Sequence, residues 1–163
     1  MRIAVFLDNV RSVHNVGSIF RTADGAGVER IYTGGVTPGP FDRFGAVRPD
    51  FAKVALGAER MVVWERAVDM LGTVDRLRRE GWFILALEQS ERSVPYTEAS
   101  ALIRRAGSDK ILLILGSETE GVAVSLLEAA DASIEIPMRG SKESLNVAVA
   151  FGIVVYSLIN SRG

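Results

Sequence analysis

Apolar residues in this chain gather in short unbroken runs that alternate with stretches of helical spacing. Residues 3–7 (Ile-Ala-Val-Phe-Leu) form the first run, bounded by Asp8-Asn9. A run without polar alternation predicts a strand buried on both faces. Val16, Ile19, Phe20 and Ala23 then recur at the interval of a helix over 16–26, with Asn15 as its N-cap. A second strand is predicted over 28–32, ended by Thr33-Gly34-Gly35. Residues 36–58 hold Pro38, Pro40 and Pro49 and show no period. They predict a long irregular loop, and a loop of that size in a compact domain is usually functional. The pattern next predicts a short strand at 61–64, a helix over 67–80 closed by Gly81, and a strand over 82–87. A helix over 96–105 stopped by Gly107 follows, then the cleanest strand at 111–115, a helix over 122–129 and a strand over 132–136. Strands of this kind separated by helices argue for one α/β domain over 1–163, with a mostly parallel sheet covered by helices on both faces.

The C-terminal segment is the most unusual. After a polar loop at 139–143 the chain enters a helix at Ser144-Leu145-Asn146, and from 147 to 159 almost every position is apolar. A helix apolar nearly all round is buried on several sides, by its own core and by a partner. The segment is shorter than the ~20 residues that span a bilayer. It therefore predicts a core helix whose polar N-terminal mouth, residues 140–146, faces a site, and whose surplus apolar surface builds a two-fold homodimer.

Composition narrows the chemistry. The chain has 163 residues, no cysteine and a single histidine, His14, which excludes disulfides, thiolate nucleophiles and His- or Cys-rich metal sites. The apolar run near the N-terminus is too short for a signal peptide, so a cytoplasmic protein with neither membrane nor metal partners is expected. A net charge of −1 argues against strong non-specific nucleic-acid binding while leaving room for a local basic face.

Three glycine-marked loops fall at the carboxyl ends of predicted strands, where open α/β sheets bind ligands. They are residues 14–23 (His-Asn-Val-Gly-Ser-Ile-Phe-Arg-Thr-Ala), 115–122 (Leu-Gly-Ser-Glu-Thr-Glu-Gly-Val) and 136–146. Neither a G-x-G-x-x-G after the first strand nor a P-loop motif is present, which removes dinucleotide and P-loop nucleotide sites. Singly, each loop is also what a tight strand-to-helix turn requires. The ordered set is more specific. Asn15-x-Gly17-x-x-x-Arg21-Thr22-Ala23, then Gly116-x-Glu118-x-x-Gly121-Val122, then Ile136-Pro137-Met138 through Ser144-Leu145-Asn146-Val147 resembles the SpoU (TrmH) branch of the SPOUT RNA methyltransferases. The resemblance runs over essentially the whole chain, including Lys53 to Glu59. That family usually carries Thr at the position of Val54 and often Ser at that of Ala148.

The resemblance implies an α/β fold with a deep C-terminal trefoil knot, S-adenosylmethionine as methyl donor, a homodimer, and methylation of a ribose 2′-hydroxyl in tRNA or rRNA. It places Asn15 and Arg21 at the reacting ribose, Glu118 as the group that holds Asn15 or its loop, and Ser144 and Asn146 at the mouth of the last helix. Leu87, Gly116, Ile136, Met138, Ser144 and Leu145 line the donor pocket on this reading. Arginine is a poor general base because it stays protonated, so Arg21 is expected to act as a fixed cation on the developing alkoxide and an adjacent phosphate. Arg11, His14, Arg21, Arg43, Arg48 and Lys53 are the expected RNA contacts, although a residue of this kind taken alone is more often just a solvated surface group. Against the enzyme stands a non-catalytic RNA-binding or assembly module of the same fold, which has no physical need of the Asn15, Arg21, Glu118, Ser144 and Asn146 set.

Overall fold

A computed structural model describes residues 1–161. Among them, seven strands form one sheet: β1 (Arg2–Asp8), β2 (Arg30–Gly34), β3 (Trp64–Ala67), β4 (Phe83–Leu87), β5 (Val94–Pro95), β6 (Lys110–Leu115) and β7 (Ala132–Glu135). Their order is β3-β2-β1-β6-β4-β7-β5, and every pair is parallel. β6 runs in register between β1 and β4, with Leu113 opposite both Val5 and Leu85.

Helices cover both faces, and the alternation of β1 shows how. Ile3, Val5 and Leu7 point into a core built with α1 (Val13–Gly25), α2 (Pro49–Ala55), α5 (Ala99–Ala106) and α7 (Val147–Asn160). Ala4 and Phe6 point to the other face, against α4 (Met70–Arg79) and α6 (Val124–Glu128). A strand apolar at successive positions is what two covered faces require. No described helix is long and apolar enough to cross a membrane.

Several boundaries differ from the sequence expectation. The stretch 36–58 is not wholly irregular. It folds α2, opened by Pro49 in the first turn, where its missing N–H costs nothing, and leads into α3 (Ala58–Met61). Phe51 of α2 is fully buried and meets Phe20 of α1 edge-on at 5.1 Å. α3 takes Met61, the first residue of the strand expected at 61–64, and β3 begins at Trp64. Helix α1 starts at Val13 and is capped by Ser12, whose hydroxyl accepts from the Asn15 amide at 3.2 Å, so Asn15 is not the cap. Asn15 lies inside the first turn, and its side chain is free for another use. The last helix is likewise capped by Asn146 and not by Ser144. α4 begins only after its Asp69 cap, and β5 was not foreseen.

Candidate active site

In a sheet whose pairs are all parallel the strand carboxyl ends share one edge, and the three glycine-marked loops meet there. The second and third of them, with residues 87–89 at the end of β4, enclose a cleft of about 610 Å³, whereas residues 14–23, expected as a loop, lie inside α1 and line none of it. A pocket of this size accommodates a nucleoside-sized ligand. Leu87, Leu115, Ile136, Met138, Leu145 and Val147 supply its apolar walls, with Ala150 of α7 beyond. Gly116 and Ser144 also line it, so all six residues expected to form the donor pocket are brought together.

The loop after β6 closes on itself. Ser117 and Gly121 exchange backbone hydrogen bonds of 3.0 and 3.1 Å, and the Ser117 hydroxyl accepts from the Glu120 amide at 2.9 Å. A Cβ at Gly116 would collide with the backbone of Gly121 and Val122, so this glycine is needed by the loop's own closure. Glu118 projects from the loop tip and accepts from the Asn15 amide nitrogen at 2.7 Å. The Asn15 carbonyl oxygen in turn accepts from the Asn146 side chain at 3.0 Å, and Asn146 Oδ1 accepts from the amides of Ala148 and Val149 at 2.9 and 3.3 Å. One relay thus joins the loop after β6, the first turn of α1 and the mouth of α7. Asn15 is its buried middle member, donating to one neighbour and accepting from the other. A carboxylate or an apolar side chain cannot do both.

Two acidic residues that sequence reasoning did not single out hold the cleft's shape. Asp8, almost fully buried at the end of β1, accepts from the Ala123 amide at 2.7 Å and so ties the entrance of α6 to β1. Glu88, at the end of β4, accepts from Val122 at 2.7 Å and from Gln89 at 2.9 Å. An acid directly after an apolar strand was their only signal. The Gln89 side chain donates to the Glu143 carbonyl at 2.8 Å and ties the β4 end to the third loop. Among the described residues the cleft is lined by the carboxyl-bearing Glu88, Glu118, Glu120, Glu135 and Glu143 and by no Lys or Arg.

Arg21 is not in this cleft. It lies exposed on α1 and lines a separate, open recess with His14, Ser18, Thr22, Lys53 and Tyr156. Three of the expected RNA contacts, Arg21, His14 and Lys53, are therefore brought together, while Arg11 stays exposed at the start of the β1–α1 loop. Arg43 sits over the Phe44 ring, 4.7 Å from its centroid. Arg48 is turned onto Asp50 by bonds of 3.0 and 3.3 Å, and that bond holds the Asp50 carboxyl below the usual carboxylate range. Along the outside of α7, Val149, Ile153 and Tyr156 are 53, 36 and 44% exposed. At i, i+4 and i+7 they form one apolar stripe, while Phe151, Val154, Val155 and Leu158 face the core. Among the described residues no group of three or more His, Asp or Glu is placed to hold a metal ion.

Known proteins share this fold. The SpoU rRNA Methylase family matches residues 2–156. The 23S rRNA (guanosine-2′-O-)-methyltransferase RlmB of Coxiella burnetii is 35% identical over 161 residues, which are 98% of this chain and 59% of that protein. A TrmH family tRNA/rRNA methyltransferase of Staphylococcus saprophyticus is 31% identical over 97% of this chain and 58% of its own length. This chain thus spans about three-fifths of the length of these curated relatives. Among solved structures, the A. aeolicus TrmH/SpoU tRNA modifying enzyme superposes with a TM-score of 0.82 at 30% identity, over 98% of this chain and 75% of the other. The AdoMet-bound rRNA methyltransferase of Sinorhizobium meliloti gives 0.81 at 28% identity, over 99% and 57%. With a continuous family match over nearly its whole length and the same α/β fold, the chain belongs to the SpoU rRNA Methylase family.

Proposed function

We propose that this chain works in the cytoplasm as a homodimer that methylates a ribose 2′-hydroxyl of rRNA or tRNA, with S-adenosylmethionine as donor. The observation that carries this reading is the Glu118–Asn15–Asn146 relay, which fixes two loops of the cleft to α1 and has no evident use in a mere binding surface. The family's 2′-O-methyltransferases and its AdoMet-bound member support it.

The cleft fits the donor. Leu87, Leu115, Ile136, Met138 and Leu145 offer apolar walls for a purine, and Ser144 stands at the rim. The surrounding carboxylates suit a ligand that carries sulfonium and ammonium charge. When bound, the donor supplies an electrophilic methyl group, so no metal or covalent enzyme intermediate is called for. What the chain must add is alignment of the hydroxyl and stabilisation of its oxygen as the proton leaves. Asn15 and Asn146 orient the groups at the mouth, and the Arg21 guanidinium meets the developing negative charge and a neighbouring phosphate.

Arg21 and the cleft lie in different cavities of one chain. The stripe Val149, Ile153, Tyr156 runs between them, since α7 lends Val147 and Ala150 to the cleft and Tyr156 to the arginine recess. A two-fold contact over this stripe brings one protomer's recess beside its partner's cleft, which makes the dimer part of the active site. The trefoil knot belongs to the same proposal. β6 and then β7 each enter between earlier strands, and the last helix crosses back to pack on α1.

The test is transfer of labelled methyl to bulk unmodified tRNA and rRNA, with S-adenosylhomocysteine affinity measured by calorimetry. Arg21→Ala is expected to lose about 10²–10³ in rate, the usual effect of removing a preorganised charged donor, with nearly unchanged S-adenosylhomocysteine binding. Arg21→Lys should restore little, because an ammonium lacks the planar fork. Equal transfer by wild type and Arg21→Ala would overturn the arginine's role. Donor binding without transfer to any RNA by the wild type would favour the non-catalytic module.

A further inference from the structure

The segment between β2 and α2 folds into a small, stiff hairpin. Phe41 and Val47 form an antiparallel bridge, and Asp42 N donates to Ala46 O at 2.9 Å. The Asp42 carboxylate accepts from the amides of Phe44 and Ala46 at 2.8 and 3.0 Å, and Arg48 N donates to Pro40 O at 2.9 Å. Gly45 supplies the left-handed residue of the turn with φ +80°. At the base, Phe41 stacks on Trp64, the first residue of β3, at 6.2 Å between centroids.

This bracing presents Phe44 at the tip, 79% exposed, with the Arg43 guanidinium 4.7 Å from its ring centroid and most of the ring open to solvent. A single exposed apolar side chain is ordinary on a protein surface. An aromatic ring on a pre-ordered turn, partnered by a cation, is less so, because nothing in the fold requires that bracing. The charge around it points the same way. The three acids of residues 36–61 are all engaged: Asp42 in the turn, Asp50 with Arg48, and Glu59, buried, with the Gly57 amide at 2.9 Å. Among the described residues Arg43, Lys53 and Arg60 have no ion-pair partner. The hairpin runs directly into α2, which carries Lys53 into the recess of Arg21.

We propose that the Arg43–Phe44 hairpin tip is a stacking platform for an unpaired nucleobase of the RNA substrate, outside the methyl-transfer cleft. This rests on the RNA-methylating function proposed above. The Phe44 ring takes the base on its open surface, Arg43 reinforces the stack and contacts a phosphate, and the free cations of α2 and α3 follow the backbone toward Arg21. The platform selects single-stranded or looped RNA over duplex, because a base within a helix has no free face to offer.

The test uses the 163-residue chain with a mixed-sequence 16-nucleotide RNA carrying one 2-aminopurine, single-stranded or annealed to its complement. The readouts are anisotropy for affinity and 2-aminopurine quenching for stacking. Wild type is expected to bind the single strand more tightly than the duplex and to quench the probe. Phe44→Ala should weaken single-strand binding about tenfold, as loss of one base–aromatic stack does. It should also abolish quenching while leaving duplex binding and S-adenosylhomocysteine affinity unchanged, and Phe44→Trp should restore both lost properties. The ring is already exposed, so folding is unaffected. Unchanged single-strand affinity and quenching in Phe44→Ala would overturn the platform alone, as would a loss of dimer mass in sedimentation, which would place the ring in a protein contact. Wild type binding neither RNA form would instead refute the RNA function and the platform with it.

Discussion

Replacing Asn15 tests whether the relay around the cleft is a structural connection in solution. Asn15→Ala removes a bond to a carboxylate at 2.7 Å and an amide–amide bond at 3.0 Å. Bonds to charged groups contribute about 1.5–3 kcal/mol and neutral ones about 0.5–1.5 kcal/mol. Glu118 and Asn146 are exposed and regain water once released, which sets the expected loss at the low end of the summed range, at about 2–3 kcal/mol. Asn146→Ala also removes the cap of α7, whose loss alone costs about 1 kcal/mol. A double-mutant cycle separates these effects. The coupling between Asn15→Ala and Asn146→Ala isolates the bond between the two side chains and is expected at about 0.5–1.5 kcal/mol. Urea unfolding followed by tryptophan fluorescence and by circular dichroism measures all four proteins, and coincident transitions license the arithmetic. If the two losses simply add, within about 0.3–0.5 kcal/mol, the relay is not formed in solution and the argument that it organises the site fails.

Ile153→Asp places a charge in the middle of the α7 stripe, where it should convert a dimer into a monomer without unfolding it, because Ile153 is already exposed on the single chain. Sedimentation at micromolar concentration should show wild type near twice 17.6 kDa and the variant near 17.6 kDa; a wild-type monomer would refute the shared-site arrangement. The pH dependence of stability has a readable component at Glu29, whose carboxyl is held below its usual value chiefly by the hydrogen bond from Arg2 at 2.6 Å. A depressed folded value means that the stabilisation is present above the ordinary Glu range and is lost as pH falls through the folded value. Glu29→Gln should therefore lower Tm slightly at neutral pH, less in high salt because the pair is exposed, and not at all in acid. A loss that persists at pH 2 would mean the pair is not its cause.

Local physics made much of this protein legible in its sequence. Unbroken apolar runs at residues 3–7 and 111–115, the periodic positions of α1 and the all-round apolar run of α7 identified a covered parallel sheet, because burial on both faces leaves no room for polar alternation. A cleft at the carboxyl edge of the sheet was legible too, since in parallel sheets the loops after the strands gather at one edge whatever their order. Helix starts were less so. Ser12 and Asn15, or Ser144 and Asn146, are equally good caps by type, and tertiary partners decide between them. Asn15 is drawn away by Glu118, 103 residues further along the chain, and Asn146 is anchored by Asn15, 131 residues back. Helix α2 escaped notice because only its burial against Phe20 makes a proline-led seven-residue helix worth forming. That Asn15 and Arg21 face different cavities was not legible in the sequence. Asn15 and Arg21 lie six residues apart on one helix, yet one turns into the relay at the cleft and the other into a separate recess, because position on the helix surface, not spacing along it, assigns each to a neighbour.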